Sequence, residues 1–275
     1  MSSHHRHDEV ALSYHESCLR LSDVDLLKGP YWLNDQIISF YFEYLEKHIF
    51  ENEHDLLFVS PEVTQCIRMV AQDEVGIFLE PLRAHQRTFV FFALNDNQAA
   101  DRAGGSHWSL LVFSRPEQAF YHFDSSRNAN AEYARQLVAV LKRALHCPDA
   151  LLRTGDCLQQ SNGYDCGVHV LCTVDAVAQQ IRKSGRIEGV RSARYDVIRS
   201  KREELLGIIL ALGVYAFTSG ATHPPKARSS SQATAKHSRS WLTPATTCSP
   251  TGSPSRPSPS GTAVAGSPST LMMAV

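Results

Sequence analysis

What this sequence lacks narrows its function first. No apolar run reaches the roughly 18 to 20 residues needed to span a bilayer, so no membrane association is expected. The opening MSSHHRHDEV has no apolar core of a secretory signal, and a cytoplasmic or nuclear protein is expected. There is no Cys-x-x-Cys pair, so a structural zinc site has no support. His4, His5 and His7 are read as part of a solvated, flexible N-terminus over 1–8, and no metal is assigned. Seven cysteines, an odd number scattered along the chain, argue for reduced thiols and against a disulfide framework. Charge of one sign is missing too: 27 Lys and Arg face 28 Asp and Glu, a net of -1. That leaves no electrostatic footprint for nucleic acid or an anionic surface. No internal repeat or heptad run is present, so a monomer is the expectation.

What is there is enough apolar material for a core, 43% hydrophobic against 20% charged residues. The composition changes near residue 218. From there SGATHPPKARSSSQATAKHSRS and SPTGSPSRPSPSGTAVAGSPST are dominated by Ser, Thr, Pro, Ala and Gly. Such a stretch buries too little surface to offset its chain entropy, so 218–275 is expected to be a disordered tail. Its Ser-Pro pairs are candidate phosphorylation sites. The folded unit is expected over 9–217.

Within that unit helices and strands mix. WLNDQIISFYFEYLEKHI carries Ile37, Ile38, Tyr41, Phe42 and Leu45 on one helical face, with Asn34 as N-cap. SPEVTQCIRMV starts a helix with Ser60 as cap and Pro61 at the first position. TFVFFAL, HWSLLVF and AFYHFD read as strands, the last two joined by a hairpin-length SRPEQ. ANAEYARQLVAVLKRAL is an amphipathic helix. A helix with Val170, Val174, Val177 and Ile181 at 3.6-residue spacing follows Cys166, and a last one runs from about Ile198 to Phe217. Helices on both sides of a central strand group give an α+β domain.

In QQSNGYDCGVHVL, Cys166 opens a helix, where free N–H groups and the macrodipole favour a thiolate. Position alone does not separate a nucleophile from a small buried core residue. His107 follows a Gly-Gly-Ser loop and opens a strand, and Asp124 closes the next one. If these strands pair antiparallel, the start of one lies beside the end of the other, and His107 and Asp124 become neighbours, as a base and its orienting carboxylate require. A cap of the SSRNAN loop is the plainer role for Asp124. The side-chain amide of Gln160, turned back by Asn162-Gly163, joins the Cys166 N–H as a candidate oxyanion donor.

GGSHWSLLVF, FYHFDSS and QQSNGYDCG, in the order His, Asp, Gln, Cys, resemble the sentrin/SUMO-specific (ubiquitin-like-protein) cysteine proteases. The likeness extends to YWLNDQIISFYFEYL and FVSPEVTQCI and covers about residues 10 to 215. FLEPLRAHQRTFVFFALNDNQAADRAGGSHWSLLV resembles the deneddylase branch, which acts on the neddylation modifier. The resemblance implies a papain-like fold with a mixed or antiparallel central sheet. It implies a triad of His107, Asp124 and Cys166, with Gln160 in the oxyanion hole and no cofactor. It also implies that Trp32 and Trp108 close over the modifier's C-terminal Gly-Gly, and that Asp35 meets the substrate. In the LNDNQAADRAGG loop Asn95, Asp96, Asn97 and Gln98 are polar, expected to be mobile and suited to reading a modifier tail, with Asn95 and Asp96 as substrate contacts.

Val168 and His169 depart from the Met and aromatic residues common at those places in the family, and the contact of His169 with the site is open. So is the choice between Gln159 and Gln160. The tail also has no counterpart in this branch. The expected activity is cleavage after the Gly-Gly of the neddylation modifier, in precursors and in lysine conjugates. Three alternatives stand beside it: the same chemistry on SUMO, an acetyltransferase with the same constellation, and a non-catalytic module that binds a ubiquitin-like protein.

Overall fold

TFVFFAL and HWSLLVF run apolar without alternation, as strands covered on both faces must. In the computed structural model, which describes residues 9–99 and 104–218, those runs form the middle of a five-stranded sheet. The expectations for 1–8 and for the tail beyond Thr218 lie outside the described residues.

The chain begins with an antiparallel hairpin, β1 (Val10–Tyr14) and β2 (Ser17–Arg20). The helices are α1 (Leu21–Asp25), α2 (Asp35–Tyr44), α3 (Pro61–Met69), α4 (Gly76–Leu79), α5 (Ala131–Ala144), α6 (Cys166–Ser184) and α7 (Tyr195–Thr218). The main sheet takes β3 (Leu56–Val59), β4 (Phe89–Asn95), β5 (Trp108–Ser114), β6 (Ala119–Phe123) and β7 (Leu151–Thr154), in that spatial order. Its three central strands are antiparallel and both edge strands are parallel to their neighbours, so the sheet is mixed.

Alternation along each strand sorts side chains into two cores. Phe89, Phe91, Leu110, Val112 and Phe123 face α2, α6 and α7. Val90, Phe92, Leu111, Phe113 and Phe120 face α3, α4 and α5. Helices therefore cover both faces of a mixed sheet, the expected α+β arrangement.

Local signals start the helices where expected. Asn34 Oδ1 accepts from the Ile37 N–H at 3.1 Å, and Ser60 Oγ accepts from the Val63 N–H at 3.3 Å with Pro61 behind it. α6 differs from a surface helix, because every residue from Cys166 to Val174 is buried. It is the central helix of the domain, and burial of its whole first half fixes the position of its first residue. Three helices are further joined by Lys201 of α7, 1% exposed. Its Nζ lies 2.6 Å from Asp175 of α6 and 2.8 Å from the Tyr41 hydroxyl of α2.

Phe91 is fully buried and stacks on Phe58 with ring centroids 4.7 Å apart. Phe91→Ala is expected to cost about 3–5 kcal/mol of stability, read as a lower urea midpoint at unchanged m. A loss below 1 kcal/mol would place the core elsewhere.

Candidate active site

β5 and β6 pair with Leu110 opposite Phe123, so the residues entering β5 meet those leaving β6. His107 and Asp124 lie at that junction, and His107 Nε2 donates to Asp124 Oδ1 at 2.7 Å. Asp124 is 3% exposed. Its carboxylate also accepts from the Ser126 N–H at 2.8 Å and from the Asn130 N–H at 2.9 Å. Burial works against its charge, but these hydrogen bonds outweigh it and hold the carboxyl below its ordinary range. To bring those donors round, the loop passes through left-handed backbone at Arg127 and Asn128, φ 50° and 62°.

His107 is held from its other side as well. Asp96 Oδ1 accepts from the His107 N–H at 3.0 Å, and the Asn130 side-chain amide donates to the His107 carbonyl at 3.2 Å. Gly105 permits this loop: its φ is +83°, and an added Cβ would lie 1.8 Å from Asn95 Oδ1.

Cys166 is the first residue of α6 and 2% exposed. The imidazole of His107 and this thiol line the same cleft, close enough to interact electrostatically. With Nε2 on Asp124, that leaves Nδ1 for the sulfur. Burial alone would lower the His107 pKa, but the hydrogen bond to Asp124 and the pull of the Asp124 and Cys166 side chains overcome it and raise the pKa to about 9. The start of α6 presses against the Trp32–Leu33 segment, since a Cβ on Gly167 would lie 2.9 Å from Leu33 Cβ.

The two glutamines separate by donor count. Both amide hydrogens of Gln159 are taken, by the Asp124 and Cys157 carbonyls, and its oxygen accepts from the Arg127 N–H. Gln160 Oε1 accepts from Ser125 Oγ at 2.7 Å, and Nε2 donates once, to the Asn162 carbonyl at 2.7 Å. One N–H of Gln160 remains for a ligand. The turn before Cys166 does not rest on glycine backbone freedom: Asn162 Oδ1 accepts from the N–H groups of Tyr164 and Asp165, both at 3.0 Å.

A cleft of about 540 Å³ leads to Cys166 and His107, lined also by Trp32, Asp35, Asn95 and Trp108. Trp32 is 49% exposed, so core packing is not its role, and its Nε1 donates to the Gly163 carbonyl at 2.6 Å. Trp108 Nε1 donates to the Leu33 carbonyl at 3.0 Å. Asp35 is exposed at the first position of α2.

Asp96, expected as a substrate contact, is not among the residues that line this cleft. Its oxygens accept from the Ser106 N–H and hydroxyl as well as the His107 N–H. These bonds brace the backbone that leads into His107. The described part of that loop is also tethered, not loose. Arg68 Nη1 of α3 donates to the Asn95 and Asn97 carbonyls, and Gln65 Nε2 donates to those of Asn97 and Ala99. His169 does not line the cleft; it is buried, with Nδ1 unpartnered among the described residues. Asn130 and Arg202 were not visible as site residues in the sequence. Asn130 sits at the N-cap position of α5, yet its side chain makes no cap bond.

Residues 87–203 match the C-terminal catalytic domain of the Ulp1 protease family. "Sentrin-specific protease 8" of Rattus norvegicus is 40% identical over 209 residues, 74% of this chain and 96% of that protein. This chain belongs to the Ulp1 protease family. It is therefore a cysteine peptidase. A second relative, "NEDD8-specific protease 1" of Arabidopsis thaliana, is 32% identical over 215 residues, 74% of this chain and 94% of that one. The C-terminal Ulp1 protease domain, solved in complex with Smt3, the yeast ortholog of SUMO, has a TM-score of 0.59 at 19% identity. It covers 75% of this chain and 89% of its own. At that identity it shows the shared Ulp1-like fold.

Folding raises the His107 pKa from an ordinary 6.5 to about 9. Its charge thus adds stability that is complete below about pH 6.5 and is lost as pH climbs through about 9. The imidazole of this Ulp1-family protease is expected to titrate near pH 9 by NMR, and Asp124→Asn to lower that value. A titration near 6.5 in both proteins would contradict the hydrogen-bonded pair.

Proposed function

We propose that the chain cleaves after the C-terminal Gly-Gly of a ubiquitin-like modifier, with NEDD8 preferred, in precursors and in lysine conjugates. The observation that carries this reading is the convergence at one cleft of the His107–Asp124 pair, the Cys166 thiol and two indoles. Flat rings flanking the approach to a thiol admit a backbone that has no side chains and turn away bulkier residues. The name of the Arabidopsis relative supports NEDD8 as the modifier.

In this mechanism Cys166 Sγ attacks the carbonyl carbon of the terminal glycine, its proton held on His107 Nδ1. The free N–H of Gln160 and the Cys166 backbone N–H stabilise the oxyanion. Preorganised donors act strongly there because they need no reorientation as charge develops. As the tetrahedral species collapses, His107 Nδ1–H protonates the departing amine, leaving a thioester on Cys166. Water then loses a proton to Nδ1 and attacks that thioester, and the thiol and the modifier's carboxylate are released. Asp124 keeps Nε2 protonated, so Nδ1 is the atom that takes and returns the proton.

The test is hydrolysis of NEDD8 carrying a fluorogenic amine on its last glycine, beside the same derivatives of SUMO and ubiquitin. Cys166→Ala is expected to give only background. Gln160→Ala should lower kcat by about 10²–10³ with a small change in KM. Equal turnover of the three modifiers would remove the NEDD8 preference, and full kcat in Gln160→Ala would remove its role.

A further inference from the structure

Arg202 of α7 takes no part in the chemistry above, yet its guanidinium joins three segments of the site. Nη1 donates to the Leu26 carbonyl at 2.8 Å and Nη2 to the Tyr31 carbonyl at 2.7 Å. Nη2 and Nε both donate to Asp165 Oδ1, at 2.8 and 3.3 Å. Its side chain is 15% exposed and that of Asp165 20%, so water screens this pair less than a surface one.

Asp165 passes the contact on. Its Oδ2 accepts from Asn162 Nδ2 at 2.7 Å, and the Asn162 carbonyl accepts from Gln160 Nε2 at 2.7 Å. In the other direction Tyr31 precedes Trp32, whose indole donates to the Gly163 carbonyl. The contacts close a ring: Arg202 to Tyr31–Trp32, Trp32 to Gly163, then through Asn162 and Asp165 back to Arg202. Cys166 follows Asp165 directly, and Gln160 hangs from Asn162.

From this ring we infer that Arg202 is a positioning residue, which locks the Trp32 rim of the cleft to the loop that aims Gln160 and starts α6. It deepens the protease reading, since it rests on Cys166 being the nucleophile. The planar fork matters as much as the charge. A lysine donates from a single nitrogen, whereas the arginine fork reaches Leu26 from Nη1 and Tyr31 and Asp165 from Nη2, a spread that one ammonium position does not reproduce.

The experiment compares wild type, Arg202→Met, Arg202→Lys, Asp165→Asn and the Arg202→Met/Asp165→Asn double variant. Two readouts are used: kcat and KM on the NEDD8 amine derivative, and the pH profile of Cys166 alkylation by iodoacetamide, followed by peptide mass. Arg202→Met is expected to lower kcat and raise KM together, cutting kcat/KM by about 10- to 100-fold. It should also slow Cys166 alkylation severalfold near neutral pH. Asp165→Asn, which keeps the arginine on Leu26 and Tyr31, should lower kcat with little change in KM. The double variant should be no worse than Arg202→Met, as two members of one network require, and Arg202→Lys should not restore activity.

Wild-type kcat/KM in Arg202→Met, full rescue by lysine, or strictly additive effects would each overturn the proposal. Should Arg202→Met fail to fold, Asp165→Asn decides alone, and an unchanged kcat there overturns it. A wild-type chain that ignores NEDD8 but alkylates normally sinks the substrate reading, and the alkylation arm still judges the clamp.

Discussion

A carboxylate with 3% of its surface exposed cannot carry its charge alone. Asp124 does so because three donors converge on it: His107 Nε2 and the N–H groups of Ser126 and Asn130. That constraint organises much of the site. It requires the strained turn at Arg127 and Asn128, which Gln159 pins from outside. It makes Asn130 a junction, with its N–H on Asp124 and its side chain on the His107 carbonyl. It also settles the imidazole: with Nε2–H committed, Nδ1 is the only nitrogen that can exchange a proton with Cys166.

The scaffold supplies precision through burial. β5 and β6 are central strands with both faces covered, so the register that brings His107 to Asp124 cannot slip without turning core side chains to the wrong face. α6 is buried along its first half, so Cys166 arrives at a fixed height against Leu33. The acid-base pair rides on the sheet and the nucleophile on the helix, and the cleft is the seam between them. The substrate-facing rim is built differently. Trp32 is half exposed and held by one hydrogen bond to a carbonyl, suited to a surface that must let a chain enter and leave.

Much of this was legible in the sequence. The apolar runs around Phe91 and Leu111 announced buried strands, and a hairpin-length link between β5 and β6 was enough to bring His107 to Asp124. Asn34, Ser60 and Pro61 marked helix starts by local chemistry that the structure repeats. The edge strands were harder. β7 has all four residues exposed and so shows no burial pattern, while β3 is four buried residues without alternation. Arg202, Asn130 and the bracing contacts of Asp96 were missed for another reason. Their partners are backbone groups and side chains brought close only by the fold, and such contacts leave no period or spacing. An acid in a polar loop gives no sign in the sequence that its oxygens accept from Ser106 and His107.

Catalysis here requires Cys166 to be the one nucleophile of a cleft that is also lined by a second thiol, Cys66. The most direct test treats the full chain with NEDD8 bearing an electrophile in place of its terminal carboxylate, then maps the adduct by peptide mass. One adduct is expected, on the peptide holding Cys166, formed faster than with SUMO or ubiquitin equivalents and lost in His107→Ala. An adduct on Cys66, or none with any modifier, would contradict that role of Cys166.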